Sequence, residues 1–208
     1  LSSPLLACSL RQLSKLPSSR APSAPYLMML SCAWGNYGYS AGFKYLRHLC
    51  RLLPEIPGPI LECGSGLTTM AIGVLADKYG KTVHSLENHR KWSESMRIIL
   101  DHYRIRNVHV HHSPLKDYDR FQWYGMPLEL QKVRFALVAC DGPPQGTRGG
   151  RYGLIPVMGD QLEKGCVVLL DDAHRKGEQA VVRQWQGHRR VHVNSLGVFG
   201  TYAEVLLA

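Results

Sequence analysis

The stretch "PILECGSGLTT", Pro59–Thr69, combines a short apolar run, an acid and two glycines. Ile60 and Leu61 predict the end of a short buried strand, and the residues after Gly66 predict a helix. Gly64 and Gly66 let the backbone approach a ligand without an intervening side chain, and a helix start offers unpaired N–H groups. The stretch therefore predicts a ligand-binding turn between a strand and a helix, although two glycines alone would also suit a simple tight turn.

Strands and helices alternate after this turn. Strands are predicted at residues 82–87, 108–112, 135–141 and 166–172, and helices at 68–79, 89–104, 152–165 and 177–186. This alternation predicts a parallel sheet with helices on both faces. Residues 189–208 contain two β-rich runs with no room for a crossover helix, so the last strand must run antiparallel to its neighbour. The predicted fold class is α/β: a doubly wound, mostly parallel, seven-stranded sheet in three α/β/α layers.

The first 58 residues are predicted to form an extension before the α/β domain of residues 59–208. Residues 1–25 are rich in Ser and Pro, which predicts a flexible or loosely packed lead-in. Residues 41–53 carry apolar side chains at helical intervals and predict a helix that leads to the glycine turn. "WGNYGYSAG", Trp34–Gly42, is predicted either to fold over the ligand as a lid or to pack in the core.

The composition narrows the class of protein. A chain of 208 residues with 45% hydrophobic content can form one substantial core, and no apolar run reaches the length of a membrane helix. The amino terminus lacks the features of a secretory signal and none of the six cysteines forms a C-x-x-C pair, which favours a cytoplasmic protein with free thiols. The net charge of +9 suits anionic substrates or acidic partners, but its dispersal argues against nucleic-acid binding. The oligomeric state stays open.

The kind of nucleotide depends on Glu62, Thr69 and Glu87. A dinucleotide fingerprint, G-x-G-x-x-G, would need a glycine at position 69, where this chain has Thr69. Glu62, two residues before the first glycine, is a poor neighbour for a pyrophosphate and suits a cationic ligand better. Glu87 ends the second predicted strand, where a carboxylate can accept both hydroxyls of a ribose. These residues indicate a cationic nucleoside.

"LECGSGLTT" at 61–69 and "HSLEN" at 84–88 resemble two motifs of class I S-adenosylmethionine-dependent methyltransferases: E/D-x-G-x-G with small residues after it, and an acid ending the second strand. Thr68 stands where many members have a third glycine. The resemblance spans residues 59–208, including the antiparallel last strand, and "DGPP" at 141–144 is similar to small bacterial methyltransferases. The resemblance to these methyltransferases implies a Rossmann-like fold with S-adenosylmethionine as the cofactor.

The resemblance also implies which residues bind the cofactor. Gly64 and Gly66 would pack against the methionine moiety, while Glu62 would act on its amino end through neighbours. Glu87 would hold the ribose, and Ser113–Leu115 would line the adenine. The implied set is Glu62, Cys63, Gly64, Ser65, Gly66, Thr68, Glu87, Asn88, Ser113, Pro114, Leu115 and Asp141.

Several acids are expected at the carboxyl ends of the fourth and fifth strands. The resemblance places Asp141 next to the transferred methyl group. In catechol-type O-methyltransferases, an acid after the fourth strand and an acid–amide pair after the fifth bind Mg²⁺, and Asp141, Asp171 and Asp172 occupy similar places, although Asp172 replaces the amide. Alternatively, Asp172 or His174 acts as general base. A third possibility is a simple ion pair between Asp172 and Arg175.

Two further features have competing interpretations. The loop "DGPPQGTRGGRYG", residues 141–153, carries Arg148 and Arg151, which either meet an anionic substrate or are solvated. His109 and His111 point to one face of the third strand, where they either bind a metal or simply meet water at the sheet edge.

The sequence therefore predicts an S-adenosylmethionine-dependent methyltransferase whose acceptor is the oxygen of a small molecule, and the positive net charge favours an anionic one. Asp141, Asp172 and His174 are its predicted catalytic residues. The alternatives are a methyltransferase of nucleic acid or protein and a non-catalytic nucleotide-binding protein.

Overall fold

A computed structural model describes residues 3–35, 41–188, 191–196 and 201–207. The strands are β1 (Ile60–Cys63), β2 (Val83–Glu87), β3 (Val108–His112), β4 (Leu115–Asp117), β5 (Gln122–Tyr124), β6 (Phe135–Cys140), β7 (Leu162–Asp171), β8 (Val191–Leu196) and β9 (Tyr202–Leu207). The helices are α1 (Pro4–Lys15), α2 (Ala24–Trp34), α3 (Phe43–Leu52), α4 (Leu67–Lys78), α5 (Arg90–His102), α6 (Leu154–Met158) and α7 (Lys176–His188). None of the helices in these ranges is long and apolar enough to cross a membrane.

The main sheet has seven strands in the order β3-β2-β1-β6-β7-β9-β8. Neighbouring strands are parallel from β3 to β7, whereas β9 is antiparallel to both β7 and β8. The predicted fold class is confirmed, including the reversed last strand. That strand lies between β7 and β8, so β8 and β3 form the two edges.

Alternation along the strands divides the apolar residues between two cores. Ile60 and Leu137 belong to a core that also contains residues of α1 to α5, whereas Leu61 and Val138 belong to a second core with α6, α7 and the β4–β5 hairpin. Successive strand residues point to opposite faces, so one buried run supplies both cores. The sheet is therefore covered by helices on both sides.

The switch point of the sheet lies between β1 and β6, and it positions the site. Chain connections leave β1 and β6 toward opposite sides of the sheet, and Cys63 pairs in register with Cys140. The Cys63 carbonyl accepts hydrogen bonds from the backbone N–H groups of Asp141, at 3.1 Å, and Gly142, at 2.6 Å. A crevice at the carboxyl ends of the strands is the usual ligand site of such sheets.

The sequence predicts a flexible or loosely packed lead-in over residues 1–25, but within that range Pro4–Lys15 forms the packed helix α1. The Ser3 hydroxyl caps the start of α1, Pro4 occupies its first turn, and Leu6, Leu10 and Leu13 are at most 4% exposed. These leucines recur at helical spacing, and α1 packs against α2 and α4. Their core also contains residues beyond position 58, so the division into an extension 1–58 and a domain 59–208 stays a prediction.

Two other segments also differ from expectation. The sequence predicts a helix over residues 152–165, but α6 ends at Met158, a 3-10 turn follows at Gly159–Gln161, and β7 begins at Leu162. Pairing with Phe135 of β6 draws Leu162 into the sheet, so tertiary contacts outweigh local helix preference. The β4–β5 hairpin is not predicted at all, because each of its strands is only three residues long.

Replacing Leu13 tests whether α1 is part of the folded core. We expect Leu13→Ala to lower the free energy of unfolding by about 2–5 kcal/mol, because it leaves a cavity at a side chain that is fully buried. Denaturant unfolding measures the change. Leu5→Ala is the matched control, since Leu5 lies in the same helix at 49% exposure and should change stability little. Equal effects of the two variants would contradict the docking of α1.

Candidate functional site

A cavity of about 870 Å³ opens at the carboxyl ends of the strands. Its volume suits a ligand the size of a nucleoside together with a second small molecule. It contains nine of the predicted site residues: Gly64, Ser65, Gly66, Thr68, Glu87, Asn88, Asp141, Asp172 and His174. The fold thus brings together residues from four separate segments of the chain.

The floor of the cavity is a close contact between two backbone segments. Gly64 has a φ of +91°, a conformation that favours glycine, and a Cβ there would lie 3.1 Å from the Gly142 nitrogen. A Cβ on Gly142 would collide with the Tyr124 hydroxyl. Around Gly66, by contrast, a Cβ would meet nothing within 4 Å. Gly64 and Gly142 are therefore required for packing, whereas Gly66 leaves open space at the cavity wall.

Glu62 lies beneath the turn and does not line the cavity. It is 1% exposed, and its Oε2 accepts hydrogen bonds of 2.6 Å from both the Ser85 and the Thr69 hydroxyls. Thr69 in turn accepts a 2.8 Å hydrogen bond from the Gly66 N–H, so it connects the carboxyl group to the turn. The second oxygen, Oε1, has no hydrogen-bond partner among the described residues. Burial raises the pKa of Glu62 to about 8.

Glu87 lines the cavity and is held in place by the turn. Its Oε2 accepts hydrogen bonds from the Ser65 N–H, at 3.2 Å, and the Ser65 hydroxyl, at 2.7 Å, and its Oε1 accepts one from the His89 N–H, at 2.8 Å. The Trp92 indole donates to the Ser65 carbonyl at 3.0 Å. The carboxylate is therefore oriented before any ligand binds. Cys63, between Glu62 and Gly64, is fully buried and contributes its carbonyl rather than its thiol.

Three carboxylates and two arginines form a network on the opposite wall. One terminal nitrogen of Arg151 lies 3.1 Å from Asp141 Oδ1 and 3.1 Å from Asp172 Oδ2, and Arg175 lies 2.9 Å from Asp172 Oδ2. Arg151 is 3% exposed and also donates to the main-chain carbonyls of Asp141 and Asp171. Burial raises the pKa of Asp171 to about 7, and the nearby Asp141 carboxylate adds to the rise. The predicted pairing of Asp172 with Arg175 is present, within a larger network.

His174 differs from Asp141 and Asp172, the two aspartates that are predicted to be catalytic. It is exposed, it lines the cavity, and its ring makes no hydrogen bond to the described residues. Asp141 and Asp172 are already bound to Arg151. Asp172 has a φ of 56°, a left-handed conformation that is uncommon outside glycine and that clusters at functional sites. Of the three predicted catalytic residues, His174 alone has an uncommitted side chain.

The amino-terminal segment supplies part of the cavity wall. Trp34, Gly42, Phe43 and Lys44 line the cavity, and Trp34 contacts Trp92 edge-to-face with ring centroids 6.3 Å apart. Lys44 is half-buried and makes no ion pair with a described residue. Residues 36–40 of the predicted lid lie outside the described residues, so the lid stays a prediction.

Other predicted residues do not line the cavity. Ser113, Pro114 and Leu115 are absent from its wall, and Leu115 instead pairs with Tyr124 in the hairpin. Arg148 is half-exposed and forms an ion pair with Asp117. The roles predicted for these residues in adenine and anion binding stay predictions.

The histidines of β3 form a cluster with His84 of β2. His84 Nδ1 lies 3.1 Å from His111 Nε2, and His111 Nδ1 lies 3.0 Å from Glu129 Oε1. His109 stacks on His84 with ring centroids 5.3 Å apart, so these two rings lie face to face and do not aim their nitrogens at one point. The cluster lies at the sheet edge, as predicted, and its geometry favours ring stacking over a three-histidine metal site.

Tyr124 is a cavity residue that the sequence does not indicate. Its side chain is fully buried, it lines the cavity, and its hydroxyl has no hydrogen-bond partner among the described residues. Buried hydroxyls are normally hydrogen-bonded, so the Tyr124 hydroxyl is an exception whose partner is not supplied by the described residues. No motif marks Tyr124, because the short hairpin alone brings it to the cavity.

The pH dependence of stability tests the burial of Glu62. Its pKa is about 8 in the folded chain and near 4.5 when unfolded, so between these values only the unfolded chain gives up its proton. The contribution of Glu62 to the free energy of unfolding should therefore fall as pH rises through that window. Denaturant unfolding at a series of pH values measures this fall. We expect the fall in the free energy of unfolding with pH to disappear in Glu62→Gln and to remain in Glu94→Gln, whose substitution lies at an exposed ion pair. If the free energy of unfolding depends on pH in the same way in Glu62→Gln and in the wild type, burial does not raise the pKa of Glu62.

No protein-family model matches the sequence, and no curated protein sequence matches it. Several solved structures do. The Podospora anserina methyltransferase PaMTH1, with S-adenosylhomocysteine bound, superposes with a TM-score of 0.60 at 16% identity, covering 99% of this chain and 88% of its own.

Two bacterial structures are similar to the same extent. The Bacillus cereus O-methyltransferase in complex with S-adenosylhomocysteine gives a TM-score of 0.59 at 15% identity, covering 97% of each chain. A Staphylococcus aureus protein assigned as a caffeoyl-CoA O-methyltransferase gives 0.64 at 14% identity, covering 97% of this chain and 100% of its own. At such identities the likeness shows the fold alone: this chain has the Rossmann-like fold of these methyltransferases.

Proposed function

We propose that the protein is an S-adenosylmethionine-dependent methyltransferase that methylates oxygen on a small molecule. The observation that carries the proposal is the pairing of the Gly64–Gly66 turn with a preoriented Glu87 carboxylate at the switch point of the sheet. In open α/β sheets this is the position for a nucleoside, with the acid at the end of the second strand on the ribose hydroxyls. The methyltransferase fold supports the same assignment.

The residues present fit such a nucleoside. Open space beside Gly66 admits the ligand against the backbone, and Glu87 offers carboxylate oxygens on the cavity wall. The Ser65 hydroxyl now bonds to Glu87, and it can turn toward the ligand when ribose hydroxyls donate to that carboxylate. Asn88 places a further polar side chain on the cavity wall, and Tyr124, whose buried hydroxyl lacks a partner among the described residues, lies on the same wall.

His174 is the residue that we propose to take the proton. Bound S-adenosylmethionine supplies an electrophilic methyl group on a positively charged sulfur, and its loss to the acceptor oxygen leaves S-adenosylhomocysteine. The acceptor hydroxyl must give up a proton during this displacement. Asp141 and Asp172 are bound to arginine, whereas the His174 ring is uncommitted at the cavity.

The side chains that line the cavity also favour one class of methyl acceptor. Lys44 lacks a carboxylate partner among the described residues, and Trp34 and Phe43 lie beside it on the wall. A cation next to aromatic rings suits a small anionic molecule with a flat apolar part. We place the protein in a reducing compartment such as the cytoplasm, because four of its cysteines, Cys50, Cys63, Cys140 and Cys166, are buried thiols.

Calorimetry with S-adenosylmethionine, S-adenosylhomocysteine and NAD tests the cofactor, together with Glu87→Ala. We expect both sulfur nucleosides to bind and NAD not to, and Glu87→Ala to weaken S-adenosylhomocysteine about tenfold to a hundredfold, because it removes charged hydrogen bonds to the ribose. Glu94→Ala is the matched control, since Glu94 lies on the exposed face of α5. Failure of both sulfur nucleosides to bind at millimolar concentration would refute the proposed function.

A labelled methyl donor then identifies the class of acceptor. The protein is incubated with the donor and a cell extract, and the extract is separated into small molecules, RNA and protein. We expect the label in the small-molecule fraction. Label in RNA or protein would contradict a small acceptor while leaving methyl transfer itself intact.

Tyr124→Phe tests whether the orphan hydroxyl serves the ligand. We expect S-adenosylhomocysteine to bind about three- to tenfold more weakly, while the melting temperature of the free protein stays the same or rises, because an unsatisfied buried hydroxyl costs stability. Tyr118→Phe is the control, since Tyr118 is half-buried outside the cavity. A fall in the stability of Tyr124→Phe with unchanged affinity would assign the hydroxyl a structural role.

A further inference from the structure

We propose that the Arg151 guanidinium occupies the place that a divalent cation takes in catechol-type O-methyltransferases, so that this site works without a bound metal. The inference rests on the proposed function, because that resemblance is what implies Mg²⁺ at these acids. The residues present do not fit the metal, for reasons of geometry and of charge.

The three acids alone would form a plausible metal site. Oxygen atoms of Asp141, Asp171 and Asp172 all lie within 4.8 Å of one another, at the carboxyl ends of the adjacent strands β6 and β7. Carboxylate oxygens are the ligands that Mg²⁺ and Mn²⁺ prefer. An explanation is therefore needed for what balances the charge of these acids.

Arg151 already makes the contacts that an ion would make. One of its terminal nitrogens lies 3.1 Å from Asp141 Oδ1 and 3.1 Å from Asp172 Oδ2, so it bridges the two carboxylates. The guanidinium also donates to the main-chain carbonyls of Asp141 and Asp171, and Arg151 is 3% exposed. Arginine suits this position because its planar group carries several fixed donors and a permanent charge. A dication among the same oxygens would lie against a buried positive charge.

The charge balance leads to the same conclusion. Arg151 and Arg175 place two positive charges at hydrogen-bond distance from Asp141 and Asp172. Two arginines therefore offset most of the negative charge of three acids, and little attraction remains for a dication.

The loop after β6 explains how the arginine reaches this position. Gly149 and Gly150 have positive φ values, and the chain turns back so that Arg151 enters the wall while Arg148, three residues earlier, stays in solvent paired with Asp117. The same loop thus carries one arginine inside the network and one outside it, which provides a matched pair for experiment.

Mn²⁺ binding, followed by electron paramagnetic resonance, tests the inference on the full chain. We expect the wild type to leave the signal of free Mn²⁺ unchanged at millimolar concentration. Arg151→Met should gain one Mn²⁺ per chain, with affinity at least about tenfold above the wild type, because it removes a positive charge beside the carboxylates. Arg148→Met should behave as the wild type does. Arg151→Met that folds and gains no Mn²⁺ would contradict the inference.

The wild type alone decides the question if Arg151→Met does not fold. Saturable Mn²⁺ binding by the wild type that Asp172→Asn abolishes would overturn the inference, and no binding by the wild type supports it. S-adenosylhomocysteine calorimetry on the same wild-type preparation separates the two hypotheses. If the wild type binds both S-adenosylhomocysteine and Mn²⁺, the metal-free site is wrong and the proposed function stands. If the wild type does not bind S-adenosylhomocysteine, the proposed function is wrong.

Discussion

The contact between the backbones that follow β1 and β6 is the constraint on which the site depends. The Cys63 carbonyl accepts hydrogen bonds from the N–H groups of Asp141 and Gly142, and Gly64 and Gly142 approach so closely that a Cβ at either position would lie 3.1 Å from the facing backbone. This contact sets the glycine turn and the Asp141 loop side by side. Because the ends of the two strands are fixed in this way, ligand-facing atoms from distant parts of the chain keep one relative position before any ligand binds.

Buried charge is handled differently on the two walls of the cavity. On the side of the glycine turn, the Glu62 carboxyl group accepts hydrogen bonds from two hydroxyl groups, and burial raises its pKa, so it behaves as a neutral hydrogen-bonding group. On the opposite wall, burial also raises the pKa of Asp141 and of Asp171, while the nearby Arg151 guanidinium acts against that rise. Desolvation thus raises the pKa of acids on both walls, and a buried cation opposes it on one wall only. The Glu87 carboxyl group and the exposed His174 ring both line the cavity.

The sequence predicts the sheet well because its signals are local. Continuous apolar runs such as Phe135–Cys140 have to be buried on both faces, and the short link before the last strand excludes a crossover helix. Residues that depend on tertiary approach are not predictable in the same way. Tyr124 enters the cavity through a hairpin of three-residue strands, and the inward turn of Arg151 follows from loop conformation. The helix at Pro4–Lys15 is missed because Ser and Pro dominate the composition around its leucines.

The amino-terminal helices have a consequence for how the molecule can be divided. The helix Ala24–Trp34 buries Leu27 and Leu30 in the core that the sheet also uses, and it ends at Trp34, whose ring rests on Trp92 at the cavity. A fragment that starts at the glycine turn would retain every motif residue, yet it would lack one wall of the cavity and part of the hydrophobic core. The smallest unit able to enclose a ligand is therefore larger than the segment that carries the recognisable sequence pattern.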